Sequence, residues 1–300
     1  MATSHFYPVG TAGAAWGEAE KAAWFALADD KKRSYADEVV AKLEVLKATF
    51  DVEQYGALSM DPARYPVFVI KSRDWDPSSK SCVLVTGGVH GYETSGVQGA
   101  LLFASTRMAD YATRHNINIA VVPCVSPWGY ECVQRWNAKA LDPNRFFVQD
   151  SPVEECALVV QLVEGLKVPA GQWLMHMDLH ETTDSDDFEF RPAKASRDGL
   201  ALAEESIPDG FYLIGNRDLP QKEWHAAVID AVRGVTHIAP PDANNQIVEL
   251  DVAQAGVVNS NSVGKGKGMT GSGIVTGLAG LAQYATTTEV YPDSKVTRRS

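Results

Sequence analysis

Hydrophobic and polar positions change spacing repeatedly along this chain, and each spacing predicts a type of element. Apolar residues recur at helical intervals from position 14 to 46, which predicts an N-terminal helical segment at about 14–48. Short apolar runs typical of strands cover residues 65–71, 81–86, 118–122, 173–179, 211–215 and 284–290. Helical spacing covers residues 95–111, 153–166 and 221–232. Strands that alternate with helices predict an α/β sheet covered on both faces.

The stretch from 240 to 280 interrupts this alternation. It is rich in Gly, Asn and Ser and predicts long loops, which often carry functional residues when they lie over an α/β sheet. No segment has the composition of a linker. The sequence therefore predicts a single domain over residues 1–300, of which the N-terminal helical segment is a part.

Composition and charge exclude several classes of protein. The chain has 300 residues, 45% of them hydrophobic and 22% charged, which is an ordinary globular balance. A net charge of -11 is the opposite of the basic surface that binds nucleic acid or an anionic membrane. The sequence contains no apolar run of the roughly 18 residues that a membrane span needs, and its start lacks the features of a signal peptide. The four cysteines form no CxxC pair, so we expect a cytoplasmic protein with free thiols.

The most informative local pattern follows the strand predicted at 81–86. A glycine turn leads to His90 and Glu93, three positions apart, and then to a helix. The turn and the first helical turn can direct both side chains at one point, and imidazole with carboxylate suits Zn²⁺. A histidine in a turn and a solvated glutamate at a helix start would have the same spacing. The pair alone therefore leaves both interpretations open.

A catalytic zinc site needs a third protein ligand and an open position. His180 ends the strand predicted at 173–179, and active sites of α/β folds gather at such strand ends. His176 and Asp178 share the same face of that strand. We expect His176 to be a core histidine, and Asp178 to be either a hydrogen-bond acceptor for a ligand imidazole or a structural residue.

Two further groups of residues match a hydrolytic metal site. Arg135, Asn144 and Arg145 suit anion recognition, because a guanidinium group holds a carboxylate with two parallel hydrogen bonds. Glu289 lies in the apolar, threonine-rich strand at 284–290, where a carboxylate is costly unless it is partnered or functional. The alternative for Glu289 is a surface position on an edge strand.

Six motifs follow one another along the chain. They are HGYE at 90–93, SPWGY at 126–130, RWN at 135–137, DPNR at 142–145, the strand-end His180 and TTTE at 286–289. As an ordered set over about residues 81–292, they resemble the zinc metallocarboxypeptidases of the carboxypeptidase A type. The resemblance implies a zinc-dependent metallocarboxypeptidase of α/β fold, with a mixed, mainly parallel eight-stranded sheet between helices.

The resemblance implies a role for each matching residue near the metal. His90, Glu93 and His180 match the three ligands of one Zn²⁺ ion, which leaves water in the fourth position. Asp142 matches the carboxylate that braces the first histidine ligand.

The same resemblance implies how the substrate is held and cleaved. Arg135 matches the arginine that polarises the scissile carbonyl and stabilises its oxyanion. Asn144 and Arg145 match the pair that binds the terminal carboxylate of the substrate. Glu289 matches the general base, which takes a proton from water and delivers it to the leaving amine. The expected substrate is a peptide or an acyl amino acid with a free carboxylate.

The chain departs from the family pattern shortly before its candidate base. Residues 265–274, where the family carries a tyrosine on a mobile loop, contain none, so another group closes the site or the substrate differs. Counting back from Glu289 places Ile274 at the floor of the side-chain pocket, which suggests an apolar pocket. The long interval after His180 predicts an insertion within residues 192–263.

Charged residues leave the preferred substrate side chain open. The acidic segment 184–189, which includes Asp186 and Asp187, could attract a basic group, hold a second metal or form a solvated loop. Lys265 and Lys267 would favour an acidic substrate instead.

The nearest alternative is an N-acyl amino acid deacylase of the aspartoacylase and succinylglutamate desuccinylase type. The Asp178-Leu-His180 sequence favours that group, but its members usually carry a β-rich domain after the glutamate, and eleven residues follow Glu289 here. A non-catalytic zinc-binding or ligand-binding relative is disfavoured because ligands, arginines and base are all present. A GxGxxG pattern at 266–271 follows a polar stretch instead of a strand, so it does not indicate a dinucleotide site.

Overall fold

A computed structural model describes residues 7–203, 206–217, 219–260 and 282–296. The helices are α1 (Glu18–Ala28), α2 (Ala41–Leu46), α3 (Thr94–Thr106), α4 (Met108–His115), α5 (Pro127–Cys132), α6 (Glu154–Gly165), α7 (Arg191–Asp198) and α8 (Lys222–Arg233). The strands are β1 (Asp51–Ala57), β2 (Pro66–Lys71), β3 (Cys82–Gly87), β4 (Asn118–Val122), β5 (Trp173–Glu181), β6 (Tyr212–Asn216), β7 (Gln246–Ile247), β8 (Leu250–Gln254), β9 (Val257–Ser260) and β10 (Tyr284–Val290). Each of the six strands predicted from apolar runs is present within one or two residues of its predicted bounds.

The strands form one mixed sheet in the order β1-β2-β4-β3-β5-β10-β6-β9-β8-β7. Its parallel pairs are β3–β4, β3–β5, β5–β10 and β6–β9, and its other neighbouring pairs are antiparallel. The expectation of a mainly parallel eight-stranded sheet is therefore wrong. The described residues alone contribute ten strands, and most neighbouring pairs are antiparallel. The α/β class and the mixed character are confirmed.

The additional strands have sequences that carry little strand signal. β1 is a largely exposed edge strand with charged and polar residues, so it lacks a clear apolar alternation. β7, β8 and β9 lie in the polar stretch that was predicted to be loop, and their pairing extends the opposite end of the sheet. Pairing with neighbours forms these strands where local propensity does not favour them.

Helices cover both faces of the sheet, and the alternation of side chains along each strand determines which layer they contact. In β3, Cys82 and Leu84 pack against α6, whereas Val83 and Val85 pack against α2, α3 and α4. Burial of each such apolar side chain contributes about 1.5–3 kcal/mol before entropy is counted. At the other end of the sheet, α8 packs against one face of β6 and β9, mainly through Ile229.

The N-terminal segment is held by aromatic side chains. The helical pattern predicted at 14–46 occurs as α1, a turn of π-helix at Ala36–Val40, and α2. Trp16 and Trp24 pack against Trp128 and Trp136 in one buried cluster. The segment therefore packs directly onto the loops that carry several candidate functional residues.

Glu131 on α5 is a buried charge that links this layer to the core. It accepts hydrogen bonds from Arg64 Nε at 2.6 Å and from the Tyr65 hydroxyl at 3.0 Å, and Lys31 Nζ lies 3.3 Å away. We expect Glu131→Gln to lower the free energy of unfolding by about 1.5–3 kcal/mol, because the buried Tyr65 hydroxyl and the partly exposed Arg64 and Lys31 lose a charged acceptor. Urea denaturation measures this change. Glu164→Gln, at an exposed position of α6, is the matched control, and equal stability of the two variants would contradict the prediction.

Within the described part of the chain, no helix has both the length and the apolar character required to cross a bilayer.

Candidate active site

The candidate residues meet where parallel strands end at one edge of the sheet. β3 leads into the loop that carries His90 and Glu93, and β5 ends around His180. β10 lies beside β5 in parallel register, with Glu289 opposite His180. Residues paired in this way project from the same face of the sheet, so the register places the candidate base beside a candidate ligand.

Close backbone packing fixes the loop between β3 and α3. Gly88 has a φ of +63°, which a residue with a side chain rarely adopts. A Cβ at Gly91 would lie 2.0 Å from the carbonyl carbon of Gly129, so only glycine fits this crossing of two backbones. Arg33 donates to Gly91 O at 2.8 Å and also bonds Thr94 Oγ1, which ties the loop to the N-terminal segment.

His90, Glu93 and His180 are all buried, and one potential ligand atom from each lies within 4.8 Å of the others. The Glu93 carboxylate lies between the two imidazoles, with Oε1 2.6 Å from His90 Nδ1 and Oε2 2.8 Å from His180 Nδ1. Glu93 Oε2 nevertheless accepts no hydrogen bond of good geometry. Burial opposes ionisation of Glu93, but the two histidines outweigh burial and lower its pKa to about 2. Two imidazole nitrogens and an ionised, under-satisfied carboxylate oxygen form a donor set that fits Zn²⁺.

Each histidine also contacts an aspartate through its other ring nitrogen. His90 Nε2 lies 3.0 Å from Asp142 Oδ1, and His180 Nε2 lies 2.7 Å from Asp178 Oδ2. With a cation bound at Nδ1, the single ring proton of each histidine would lie on Nε2 and be donated to its aspartate. Asp178 therefore fits the acceptor interpretation that the sequence had left open beside a structural one.

A buried chain of hydrogen bonds continues behind Asp178. Thr86 donates its hydroxyl proton to Asp178 Oδ1 at 2.5 Å. Thr86 Oγ1 also lies 3.0 Å from His176 Nε2, and since its own proton is used, the imidazole must be the donor there. Burial lowers the pKa of His176 to about 4, which agrees with a neutral core histidine.

We expect Asp178→Asn to weaken Zn²⁺ binding about 10- to 100-fold, because the amide no longer holds His180 in the required tautomer with a full negative charge. Competition with a chromophoric chelator measures the affinity. Asp209→Asn, which removes a histidine-bonded carboxylate away from the site, is the matched control. Equal affinity of Asp178→Asn and wild type would contradict this role.

All eight residues assigned by the sequence motifs line one cavity of about 390 Å³. The metal-side group is His90, Glu93, His180 and Asp142, and the other group is Arg135, Asn144, Arg145 and Glu289. Asp142 caps the 3₁₀ turn at Pro143–Arg145, because its Oδ1 accepts a hydrogen bond from Asn144 N at 3.0 Å. One aspartate thus orients both a candidate ligand and the candidate carboxylate-binding turn.

Electrostatics keep the charged groups of the cavity in defined states. Arg135 Nε lies 3.5 Å from Asp142 Oδ2. Burial disfavours the charge of Asp142, but the neighbouring Arg135 and His90 hold its pKa well below the ordinary value. Burial raises the pKa of Glu289 to about 8, and the nearby Glu93 adds to this shift, whereas His180 opposes it. A bound divalent cation would act against burial and Glu93, because its positive charge favours the ionised form of Glu289.

Several solved structures share this architecture. A protein from Shewanella amazonensis described as a "putative metallopeptidase" matches with a TM-score of 0.59 and 17% identity, covering 86% of this chain and 83% of that chain. Bovine thrombin-activatable fibrinolysis inhibitor, in complex with tick carboxypeptidase inhibitor, matches with a TM-score of 0.51 and 13% identity, covering 88% of this chain and 87% of that chain. A metallo-carboxypeptidase from Pseudomonas aeruginosa, in complex with (2-guanidinoethylmercapto)succinic acid, matches with a TM-score of 0.52 and 14% identity, covering 84% of this chain and 58% of that chain.

The chain has a zinc carboxypeptidase-like fold. The resemblance found in the motifs is thereby confirmed at the level of the fold. Residues 47–163 also match the family described as "Protein of unknown function (DUF2817)", a range that includes His90 and Glu93 but neither His180 nor Glu289. No curated protein matches the sequence.

The cavity of this carboxypeptidase-like fold includes residues that sequence reasoning did not assign. Tyr92, inside the HGYE motif, donates to Asp186 Oδ1 at 2.9 Å and accepts from Arg135 Nη1 at 3.3 Å. Glu181 accepts a hydrogen bond from Ser95 N at 2.6 Å, and burial raises its pKa to about 7. Tyr92 directly precedes Glu93 and Glu181 directly follows His180 in the sequence, and this adjacency to predicted ligands is the signal that could have identified them.

The acidic segment 184–189 divides between cavity and surface. Asp186 is buried and lines the cavity, whereas Asp187 is exposed and forms an ion pair with Arg191. Among the described residues, no other group of three or more His, Cys, Asp or Glu side chains is arranged to hold a metal ion, so a second metal here has no support. The tyrosine-free stretch 265–274, with Ile274, Lys265 and Lys267, and the GxGxxG pattern at 266–271 lie outside the described residues.

Proposed function

We propose that this protein is a zinc-dependent metallocarboxypeptidase that hydrolyses a C-terminal peptide bond. The observation that carries the proposal is the single cavity of about 390 Å³, which combines a candidate metal triad, a candidate base and a cationic anion-binding group. This combination matches the needs of amide hydrolysis at a free carboxyl terminus.

His90 Nδ1, His180 Nδ1 and the Glu93 carboxylate would hold the metal ion. When bound, Zn²⁺ supplies a Lewis acid and lowers the pKa of water. Asp142 and Asp178 keep the two imidazoles oriented through their Nε2 protons. The fold supports this arrangement because both aspartates are fixed by hydrogen bonds of their own, from Asn144 N and Thr86 Oγ1.

Arg145 and Asn144 would bind the terminal carboxylate of the substrate. Arg135 would hold the carbonyl oxygen of the scissile bond. Burial alone would lower the pKa of Arg135, but Asp142 raises it well above the ordinary value, so the guanidinium stays charged. An oxyanion donor of this kind is worth about 3–4 kcal/mol in the transition state.

Glu289 would act as the general base and then as the general acid. Its carboxylate takes a proton from the attacking water and later delivers that proton to the nitrogen of the leaving amine. The parallel register of β10 against β5 supports this role, since it places Glu289 directly beside His180.

The second candidate function is deacylation of small N-acyl amino acids. The observation that favours it is the 2.7 Å contact between Asp178 and His180, which belongs to the Asp-x-His sequence shared with that group. The same metal triad, base and arginines would serve both reactions, so only the substrate separates the two proposals.

A hydrolysis screen on the Zn²⁺-loaded protein tests both. It compares peptides with a free carboxyl terminus, the same peptides amidated at that terminus, and N-acetyl and N-succinyl amino acids, each with and without a chelator. Release of amino acid from the free peptides alone, abolished by chelator, is the expected result. Release from small acyl amino acids alone would support the second candidate, and no release from any substrate would contradict both.

A further inference from the structure

Three side chains from neighbouring strands form a continuous row at the wall of the cavity. Thr182, just beyond β5, donates from Oγ1 to Glu289 Oε2 on β10 at 3.2 Å. The hydroxyl of Tyr212 on β6 lies 3.2 Å from the same Thr182 Oγ1. β10 lies between β5 and β6 in the sheet, and Glu289 pairs in register with both His180 and Tyr212. Strand pairing therefore places Glu289 beside Tyr212 and beside the end of β5, which Thr182 directly follows.

The chemistry of the groups fixes the direction of the protons. A general base must be ionised to take up a proton, and in that state Glu289 can only accept hydrogen bonds, so the single hydroxyl proton of Thr182 is donated to Glu289 Oε2. Thr182 Oγ1 is then left as an acceptor, and the Tyr212 hydroxyl must donate to it. Tyr212 is 2% exposed and burial raises its pKa, with the Glu289 charge adding to the shift, so it keeps this proton.

The hydrogen bond from Thr182 occupies one carboxylate oxygen of Glu289 and leaves the other available. Among the described residues, Glu289 Oε1 has no hydrogen-bond partner, although Glu289 lines the cavity. A carboxylate anchored at Oε2 presents Oε1 in one orientation. A general base has to be held in this way, because proton transfer requires hydrogen-bond reach and alignment to the water.

We propose that Thr182 and Tyr212 are positioning residues for Glu289, acting as a relay in which Tyr212 donates to Thr182 and Thr182 donates to Glu289. The proposal rests on the proposed function, in which Glu289 is the base. It implies that Tyr212 acts through Thr182 without contacting the substrate.

The kinetic test uses isosteric variants of the Zn²⁺-loaded protein. Thr182→Val removes the hydroxyl and keeps the shape, Thr182→Ser restores a hydroxyl, and Tyr212→Phe removes the first donor. Thr287→Val is the matched control, because Thr287 lies on the same strand as Glu289 and its buried hydroxyl has no partner among the described residues. The double variant Thr182→Val/Tyr212→Phe tests whether the two residues act in series.

We expect Thr182→Val to lower kcat by about 10- to 100-fold, the range of a lost hydrogen bond to a charged group, with KM unchanged. Thr182→Ser should recover most of the loss, and Thr287→Val should match wild type. Tyr212→Phe should lower kcat less than Thr182→Val, and it should add nothing in the double variant. Full additivity in the double variant, or a raised KM with unchanged kcat in Tyr212→Phe, would assign Tyr212 to the substrate and overturn the relay.

Crystal structures of the Zn²⁺-loaded wild type and Thr182→Val provide a readout that does not depend on turnover. The relay predicts one Glu289 conformer in wild type, with Oε2 on Thr182 Oγ1, and a rotated or divided carboxylate in the variant. An unchanged carboxylate in Thr182→Val would overturn the relay even if the protein hydrolyses peptides. Absence of hydrolysis by wild type would overturn the proposed function, and the Glu289 conformers would still decide whether the relay exists.

Discussion

Glu289→Gln should lower kcat for peptide hydrolysis by about 10²–10⁴-fold, the usual contribution of a positioned general base. The glutamine amide keeps the size of the side chain and can still accept from Thr182, but it cannot take a proton from water. Because Glu289 is not one of the candidate ligands, Zn²⁺ content should stay at the wild-type value. Steady-state kinetics together with elemental analysis measure both quantities on the same sample.

The matched control is Glu249→Gln, the same chemical change at another carboxylate of the cavity wall. Its kcat should remain close to that of wild type. Near-normal turnover of Glu289→Gln would exclude Glu289 as the base. Loss of zinc in that variant would show instead that Glu289 supports the metal.

His180→Ala should abolish stoichiometric Zn²⁺ binding, because it removes one of the three buried donors that lie within 4.8 Å of one another. The loss in affinity should exceed the 10- to 100-fold effect expected when only a hydrogen-bonding partner of a ligand is changed. The variant also leaves Asp178 and Glu93 without the imidazole between them. Elemental analysis after dialysis measures the bound metal.

A second measurement separates loss of the site from loss of the fold. Zn²⁺ should raise the melting temperature of wild type, because a ligand that binds only the folded state stabilises it, and should leave that of His180→Ala unchanged. His225→Ala, at a buried histidine on α8 away from the cavity, should retain both the metal and the thermal shift. A full complement of zinc in His180→Ala would remove His180 from the ligand set.

The strands and helices with strong apolar patterns were predictable, and so was their meeting at one sheet edge. β3 and β5 are buried strands whose sequences carry the signal directly, and His90 and His180 follow from where those strands end. The predicted helix at 95–111 is divided at Arg107, whose backbone leaves the helical region. The apolar spacing of residues 95–111 does not indicate this break.

Contacts between strands could not be predicted from the sequence. Thr182 and Glu289 are separated by 107 positions, and their hydrogen bond depends on the register of β10 against β5. Tyr212 reads as an ordinary apolar strand residue until β6 is placed on the other side of β10. Sequence motifs therefore name the candidate groups one by one, whereas the hydrogen bonds between them depend on the assembled sheet.

The position of β10 has a consequence for how the protein is made. β10 is the last described strand in chain order, yet it lies in the interior of the sheet, between β5 and β6. Until this strand is available, the other nine strands can pair only as two half-sheets, β1-β2-β4-β3-β5 and β6-β9-β8-β7, each with an unpaired inner edge. The candidate base is on the same strand, so the sheet and the candidate site are completed by one and the same segment of the chain.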